Sequence, residues 1–308
     1  MPVPHDPVLL HVGYIKTATT FLQNQVFAGP DEGLELAAGP QTRAQMVQEI
    51  LLGDDYAFDA EATRTHLEAL TADVRARGNL PVWSEEMLLG NPPARRYDGF
   101  ANARKLQLVY PNAKVLITIR RQPAIALSIY REYVLGGGAL PLRGVIGSGD
   151  EPLSYTPILR PEFLFFDRAI RHYIGLFGAE NLLVLPQEML SADPAAYFAA
   201  LSQFTGCTIA HDRPRTREHV GEGFSALALR RLSNRFIVKD PTRRGRQGID
   251  HLTDRVIRRL DGVLGGNAKR RGAHEAQIAA RYAGLFAQSN RATADLTGLA
   301  LDALGYET

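Results

Sequence analysis

The sequence predicts an α/β fold in which a parallel sheet is flanked by helices. Short apolar runs typical of buried strands alternate with longer segments of helical periodicity. These runs lie at Val8–Val12, Leu80–Trp83, Lys114–Ile119 and Asn181–Pro186. Parallel strands are joined by crossover helices, so the alternation favours a sheet that is covered on both faces. Ligands bind at the carboxyl ends of such strands, and we therefore expect the site around Gly13, Ser84 and Arg120.

Helical segments follow the predicted strands. We expect Thr19 or Thr20 to cap the first helix, because a hydroxyl at the first turn satisfies free backbone N–H groups. Further helices are predicted at Gln41–Leu52, Glu61–Arg77, Tyr97–Tyr110, Pro123–Val134, Glu162–Gly178 and Asp193–Gly206.

The pattern predicts a single domain over residues 1–308. Residues 136–161 are rich in Gly, Pro and Ser, which indicates a long variable loop. Residues 225–308 are mainly helical in pattern and are expected to form a C-terminal cap. Within this part, Lys239–Arg271 is strongly basic, which fits a solvated helical face, attraction of an anionic ligand, or contact with acidic lipid headgroups.

Composition excludes several classes of protein. The 308 residues are 45% hydrophobic and 22% charged, so the chain is neither mostly disordered nor collagenous. The net charge of +2 gives no reason to expect a nucleic-acid partner. The single cysteine, Cys207, excludes an intramolecular disulfide. No apolar stretch is long enough to span a membrane and the N-terminus is unlike a signal peptide, so we expect a cytoplasmic protein.

The segment between the first strand and its helix indicates an anion-binding loop. Residues 13–20 have the sequence GYIKTATT. Free N–H groups and the helix dipole converge in this setting, and a lysine and three hydroxyls add charge and hydrogen bonds. The alternative is an ordinary capped helix after a buried strand. The loop does not match the nucleoside-triphosphate pattern G-x-x-x-x-G-K-[ST], because Ala18 and Thr19 stand at the second glycine and the lysine positions.

A second motif follows the third predicted strand. Arg120 ends that strand and Ser128 lies two helical turns further on, so one guanidinium and one hydroxyl can grip a single phosphate. Together the two motifs resemble those of the sulfotransferases that use PAPS, 3′-phosphoadenosine 5′-phosphosulfate. The loop resembles the family's 5′-phosphosulfate loop, x-x-x-x-K-T-[GA]-T-[ST], and the Arg120–Ser128 pair resembles its 3′-phosphate motif. The similarity is greatest to the bacterial and carbohydrate-type branch.

The resemblance implies a P-loop NTPase-like fold with a helical C-terminal part. It implies transfer of the PAPS sulfuryl group to a hydroxyl or an amine of a small-molecule, carbohydrate or lipid acceptor, with PAP as product and without a metal. It assigns the leaving-group role to Lys16. The donor would be held by Lys16, Thr17, Ala18, Thr19, Thr20, Arg120 and Ser128. Two alternatives are an ATP-dependent small-molecule kinase of related fold and a non-catalytic nucleotide-binding protein.

Two parts of the expected site remain open in the sequence. By position Glu86 matches the catalytic base, with Glu85 and His219 as alternatives, although Ser84 and the two glutamates could equally begin a helix. The basic loop that completes the family's 3′-phosphate site has two candidate sets. These are Arg213, Arg215 and Arg217, or Arg243, Arg244 and Arg246.

Overall fold

A computed structural model describes residues 7–29, 33–37, 45–210, 223–236, 257 and 265–308. In these residues five strands form one parallel sheet of order β2-β3-β1-β4-β5. The strands are β1 Leu9–His11, β2 Leu34–Leu36, β3 Leu80–Ser84, β4 Lys114–Ile119 and β5 Leu182–Pro186. The parallel α/β class is confirmed. The short edge strand β2 was not predicted, because three residues carry too little periodicity to be recognised.

The helices alternate with the strands. They are α1 Thr19–Phe21, α2 Ala60–Ala76, α3 Gly99–Val109, α4 Gln122–Leu135, α5 Leu142–Ile146, α6 Phe166–Phe177, α7 Gln187–Ala192, α8 Pro194–Thr205, α9 Phe224–Ser233, α10 Asn267–Tyr282 and α11 Ala287–Thr297. α1 continues as a π-helix, Leu22–Val26, and a second π-helix is Val47–Leu51. Short 3₁₀ segments occur at Asp55–Ala57, Glu86–Leu89, Pro92–Ala94, Pro161–Leu164 and Ala179–Asn181.

Two predicted segments differ from the structure. The expected loop at residues 136–161 contains the helix α5, whose apolar side chains are buried against the main core. The expected helix Gln41–Leu52 is reduced to α-helical residues 45–46 and the π-helix Val47–Leu51, and its first four residues lie outside the described ranges. Among the residues that the structure describes, no helix has the length and apolar composition needed to cross a bilayer.

The sheet separates two apolar cores. On β1, Leu10 packs with Trp83 on the face that carries α2, α3, α4, α6 and the last two helices. Leu9 packs with Leu22 and Tyr197 on the opposite face. Successive strand residues point to opposite faces, so a strand buried on both sides is apolar throughout. The predicted coverage of both faces is therefore confirmed.

The strand order creates a crevice at the carboxyl edge of the sheet. β1 pairs with β3 on one side and with β4 on the other. The connection after β1 leads to the β2–β3 side, whereas the connection after β4 leads to β5. The two loops diverge at this topological switch point, which is where ligands bind in open α/β sheets. The loop at residues 13–18 and Arg120 flank the crevice.

Candidate functional site

The loop after β1 presents a row of unpaired backbone N–H groups. Lys16 and Ala18 have φ angles of 65° and 66°, in the left-handed region. Alternation of this kind turns successive N–H groups toward one side, which makes an anion-binding concavity. Within the described ranges, none of the backbone N–H groups of residues 16–20 donates to a protein acceptor. An anion in the crevice would satisfy them.

Thr19 adds an unpartnered hydroxyl to this concavity. The prediction that Thr19 or Thr20 caps the helix is wrong, because α1 begins at Thr19 and the N-cap is Ala18, whose left-handed backbone turns the chain into the helix. The Thr19 Oγ1 atom is buried and has no hydrogen-bond partner among the described residues. A buried hydroxyl without a partner costs about 1–3 kcal/mol, so an anionic oxygen is a favourable occupant. Thr20 is exposed.

Thr17 holds the loop from below. Its hydroxyl is buried, donates to the Tyr14 carbonyl over 2.5 Å, and lies 2.7 Å from the Thr118 hydroxyl on β4. The hydroxyl is thus used inside the protein, and the backbone N–H of Thr17 is the group left for an anion. The predicted contact from Thr17 to the ligand is consequently reduced to its main chain.

A chain of buried hydrogen bonds continues from Thr118 under the loop. Thr118 Oγ1 lies 3.2 Å from His11 Nε2, and His11 Nδ1 lies 2.8 Å from Ser84 Oγ. Gln23 Nε2 donates to Ser84 Oγ over 3.0 Å. The network therefore joins the π-helix after α1 to three adjacent strands, and it ends at the Tyr14 carbonyl.

The donor and the acceptor of each hydrogen bond in this chain can be assigned. The Thr17 hydroxyl donates its only proton to the Tyr14 carbonyl, so its oxygen accepts from the Thr118 hydroxyl. The Thr118 oxygen in turn accepts from His11 Nε2–H. Complete burial lowers the pKa of His11 to about 3, so the ring is neutral near neutral pH. With its proton on Nε2, His11 accepts from Ser84 at Nδ1. One tautomer satisfies the whole chain.

Arg120 joins the two sequence motifs. Its Nη1 donates to the Lys16 carbonyl over 3.1 Å and to Ser128 Oγ over 3.1 Å. Burial lowers the pKa of Arg120, and the nearby charge of Glu188 opposes that shift. One guanidinium therefore fixes the loop after β1 and the Ser128 face of α4 in a single arrangement, with its cationic charge at the crevice.

A cavity of about 350 Å³ adjoins Arg120. It is lined by Arg120, Arg121, Gln187, Glu188, Ser191 and Ala192. Glu188 accepts from the Arg121 backbone and from the Tyr306 hydroxyl, over 3.1 and 2.8 Å. Asn290 on α11 donates to the Glu307 carbonyl over 2.7 Å. These contacts hold the end of the chain against the Arg120 side of the site.

Lys16 lies in a smaller cavity that also contains carboxylates. This cavity of about 100 Å³ is lined by Ile15, Lys16, Glu85, Glu86, Met87, Asn91, Pro93 and Glu132. Lys16 Nζ is 2.8 Å from Glu132 Oε2, and both side chains are partly exposed. Glu132 was not among the residues predicted from the sequence. Its position four residues after Ser128 on one helical face was the signal that could have found it.

The two candidate bases differ in their surroundings. Glu85 is fully buried and accepts from the Met87 backbone N–H over 3.0 Å, so it caps the short 3₁₀ helix Glu86–Leu89. The alternative that a helix begins at this point is correct for the 3₁₀ helix, but its cap is Glu85 and not Ser84, whose hydroxyl is bonded to His11. Glu86 is partly exposed beside Lys16. A carboxylate that keeps access to the cavity is the better placed to receive an acceptor's proton.

Trp83 is in the core, where its Nε1–H donates to the Tyr110 hydroxyl over 3.0 Å. His219 and both candidate arginine sets fall outside the described residues. They are Arg213, Arg215, Arg217, Arg243, Arg244 and Arg246.

Gly13→Ala should destabilise the protein by about 2 kcal/mol, because an added methyl group forces overpacking in a closed site. A Cβ atom at Gly13 would lie 1.8 Å from Thr118 Oγ1 and 3.0 Å from His11 Nε2. The measurement is urea unfolding. Gly175→Ala is the matched control, since nothing lies within 4 Å of a Cβ there and the helix should gain stability. Equal stability of Gly13→Ala and wild type would contradict the packing described here.

His11 should make the folded state sensitive to acid. The unfolded chain binds a proton near pH 6.5, whereas the folded chain resists protonation down to about pH 3. Stability should therefore fall as the pH drops through this window, by at most about 1.4 kcal/mol per pH unit. In His11→Gln this contribution should vanish from urea unfolding measured between pH 4.5 and 7, while the exposed-site control His66→Gln keeps it. A His11 ring that NMR shows as protonated at pH 6 would refute the assignment.

Comparisons with known proteins give structural similarity alone. No protein-family model and no curated protein matches the chain. A solved sulfotransferase from Alicyclobacillus acidocaldarius is similar over 77% of this chain and 97% of its own, with 18% identity and a TM-score of 0.49. The sulfotransferase domain of the Synechococcus PCC 7002 olefin synthase has 12% identity and a TM-score of 0.39, and the similarity covers 84% of this chain and 97% of that domain. The sulfotransferase domain of the curacin biosynthetic pathway is 10% identical, with a TM-score of 0.39, and the similarity covers 84% of this chain and 98% of that domain. The function must therefore be inferred from the site.

Proposed function

We propose that the protein is a sulfotransferase that moves the sulfuryl group of PAPS to a hydroxyl, or an amine, of an organic acceptor. The observation that carries this proposal is the Arg120 guanidinium, which bonds to Lys16 in one motif and to Ser128 in the other. Two motifs more than one hundred residues apart in sequence thus meet at one cation. The acceptor is of the small-molecule, carbohydrate or lipid class.

The residues of the crevice fit both anionic ends of the donor. The unpaired N–H groups of residues 16–20 and the free Thr19 hydroxyl suit the 5′-phosphate. Arg120 and Ser128 suit the 3′-phosphate, because a guanidinium and a hydroxyl form charge-assisted bonds to one anion. The adjoining cavity at Arg121 and Gln187 extends this side of the site.

PAPS supplies an activated sulfuryl group, whose in-line transfer to an acceptor oxygen resembles phosphoryl transfer. Lys16 would neutralise the charge that develops on the leaving phosphate. Its present partner, Glu132, would hold the ammonium group near the crevice until the donor anion competes for it. Glu86 would take the proton that the acceptor hydroxyl loses, and Glu85, which caps the adjacent 3₁₀ turn, would fix its backbone.

The donor site can be tested by thermal shift with PAP, compared with ATP and magnesium. A ligand that binds the folded state raises Tm according to its concentration relative to Kd, and 100-fold excess gives about 2.7 kcal/mol. We expect a large shift with PAP in the wild type and none in Arg120→Ala. Arg171→Ala is the matched control, because this exposed arginine lies on α6 with a long ion pair to Asp167.

A shift with ATP and magnesium but not with PAP would replace this proposal with the kinase alternative. A PAP shift without transfer to any acceptor would instead favour the non-catalytic nucleotide-binding alternative.

Lys16→Met should lower the turnover of PAPS by a factor of roughly 10³, with little change in PAP binding, because the lost charge acts mainly in the transition state. Glu86→Gln should lower kcat by about 10²–10⁴. The measurement is single-turnover release of PAP. Glu132→Gln serves as the comparison, and we expect a smaller loss, since that carboxylate orients Lys16 rather than moving a proton. Wild-type turnover in Lys16→Met would refute the proposed role of Lys16.

A further inference from the structure

The helix α9 exposes a stripe of apolar side chains. Leu229, Leu232 and Phe236 are 37%, 51% and 81% exposed. The backbone N–H groups of residues 235 and 236 donate to the carbonyls of residues 232 and 233, so helical turns continue to Phe236. Spacings of three and four residues place the three side chains on one helical face. Apolar residues scattered singly on a surface are ordinary, whereas a group that shares one face is typical of an interaction surface.

One edge of this stripe is basic. Arg231 and Arg235 are four residues apart, so they share a flank of the helix beside Leu232. Among the described residues neither arginine has a carboxylate partner, and α9 itself contains no acidic residue. The positive charges of this flank are therefore available to an anionic partner.

The basic surface continues onto the first turn of α10. Ser225 lies one helical turn before Leu229 on the same face of α9, and its backbone N–H donates to Asn267 Oδ1 over 2.8 Å. Lys269 and Arg270 follow Asn267 within one turn, and both are exposed. The stripe is thus bordered by basic side chains along its flank and near its beginning.

The charge of this surface indicates what covers the stripe. A second copy of the chain is disfavoured, because two identical basic faces would repel each other across a symmetric interface. An anionic lipid surface is complementary, since apolar side chains can enter the acyl region while arginines remain at the headgroups. The segment Lys239–Arg271, which follows α9 in the sequence, has ten basic residues against four aspartates and adds charge of the same sign.

The stripe is also fixed relative to the candidate site. Asn234, which ends α9, is buried, and its Nδ2 donates to the Val134 and Gly138 carbonyls at the end of α4, over 2.8 and 2.9 Å. Ser128 and Glu132 lie on the same helix α4. A surface bound through α9 would therefore hold the crevice in one orientation to it.

We propose that α9 attaches the protein to the surface of an anionic membrane. The three apolar side chains of the stripe enter the boundary between headgroups and acyl chains. Arg231 and Arg235 pair with lipid phosphates. This attachment does not depend on the proposed function, because its residues lie outside the crevice.

Membrane binding is tested by sedimentation of the full chain with vesicles. The vesicles contain phosphatidylcholine with about 30% phosphatidylglycerol, and the comparison is phosphatidylcholine alone, which presents no net charge to the arginines. We expect at least about fivefold tighter binding to the anionic vesicles, and loss of this difference in about 1 M salt, which screens the charges. No binding to the anionic vesicles, or equal binding to both kinds, would overturn the inference.

Two variants locate the contact on α9. Leu232→Ser should weaken vesicle binding about fivefold, whereas Leu108→Ser, which changes a leucine that is 52% exposed on α3, should leave it unchanged. Arg235→Gln should weaken binding to the anionic vesicles about fivefold, whereas Arg171→Gln on α6 should not. Unchanged binding in both Leu232→Ser and Arg235→Gln would place the lipid contact elsewhere and refute the inference.

Measurements without lipid test the two other ways of covering the stripe. We expect Leu232→Ser to leave both the Tm and the molecular mass of the protein unchanged. A fall in Tm of more than about 4 °C would show that the protein itself buries Leu232, and would contradict the proposal. An oligomer that Leu232→Ser dissociates would assign the stripe to a second copy of the chain and contradict it equally.

Discussion

The site depends on the packing of one hydroxyl, that of Thr118 on β4, against the loop after β1. Thr118 Oγ1 contacts Thr17 and His11, and it occupies the space that a side chain at residue 13 would need. The Thr118 carbonyl also accepts from the Tyr14 N–H over 2.9 Å. Side chain and main chain together press the loop onto the central strands. Because the Thr17 hydroxyl is hydrogen-bonded inside the protein, the N–H groups of residues 16–20 are left facing the crevice.

This arrangement explains why the loop tolerates unfavourable backbone angles. Lys16 and Ala18 are non-glycine residues in the left-handed region, which costs about 1–2 kcal/mol each. The hydrogen bonds from Thr17 below and from Arg120 to the Lys16 carbonyl fix the backbone on both sides of these positions. Glycine would adopt the backbone angles of Ala18 without strain, because it has no Cβ atom.

Much of the fold and of the candidate site could be predicted from the sequence, because the sequence patterns that indicate them are local. Apolar runs gave four of the five strands, and the spacing of Arg120 and Ser128 anticipated a contact that the structure shows at 3.1 Å. Glu132 was missed, because its spacing from Ser128 shows that the two residues share a helical face but not that this face meets Lys16. The importance of Glu132 comes from a contact across the fold, with Lys16. The capping role of Thr19 was predicted wrongly because Ala18 takes that position through its backbone, which no side-chain preference reveals.

Tyr14 connects the anion-binding loop to an aromatic cluster formed by Phe163 and Phe166. Its carbonyl ends the hydrogen-bond chain that fixes the loop, and its ring packs edge to face on Phe163 and Phe166, with centroids 5.1 and 4.9 Å away. Because protein interiors are closely packed, the ring contacts and the hydrogen bond at its carbonyl hold Tyr14 in one position, and with it the loop that leads to Lys16 two residues later.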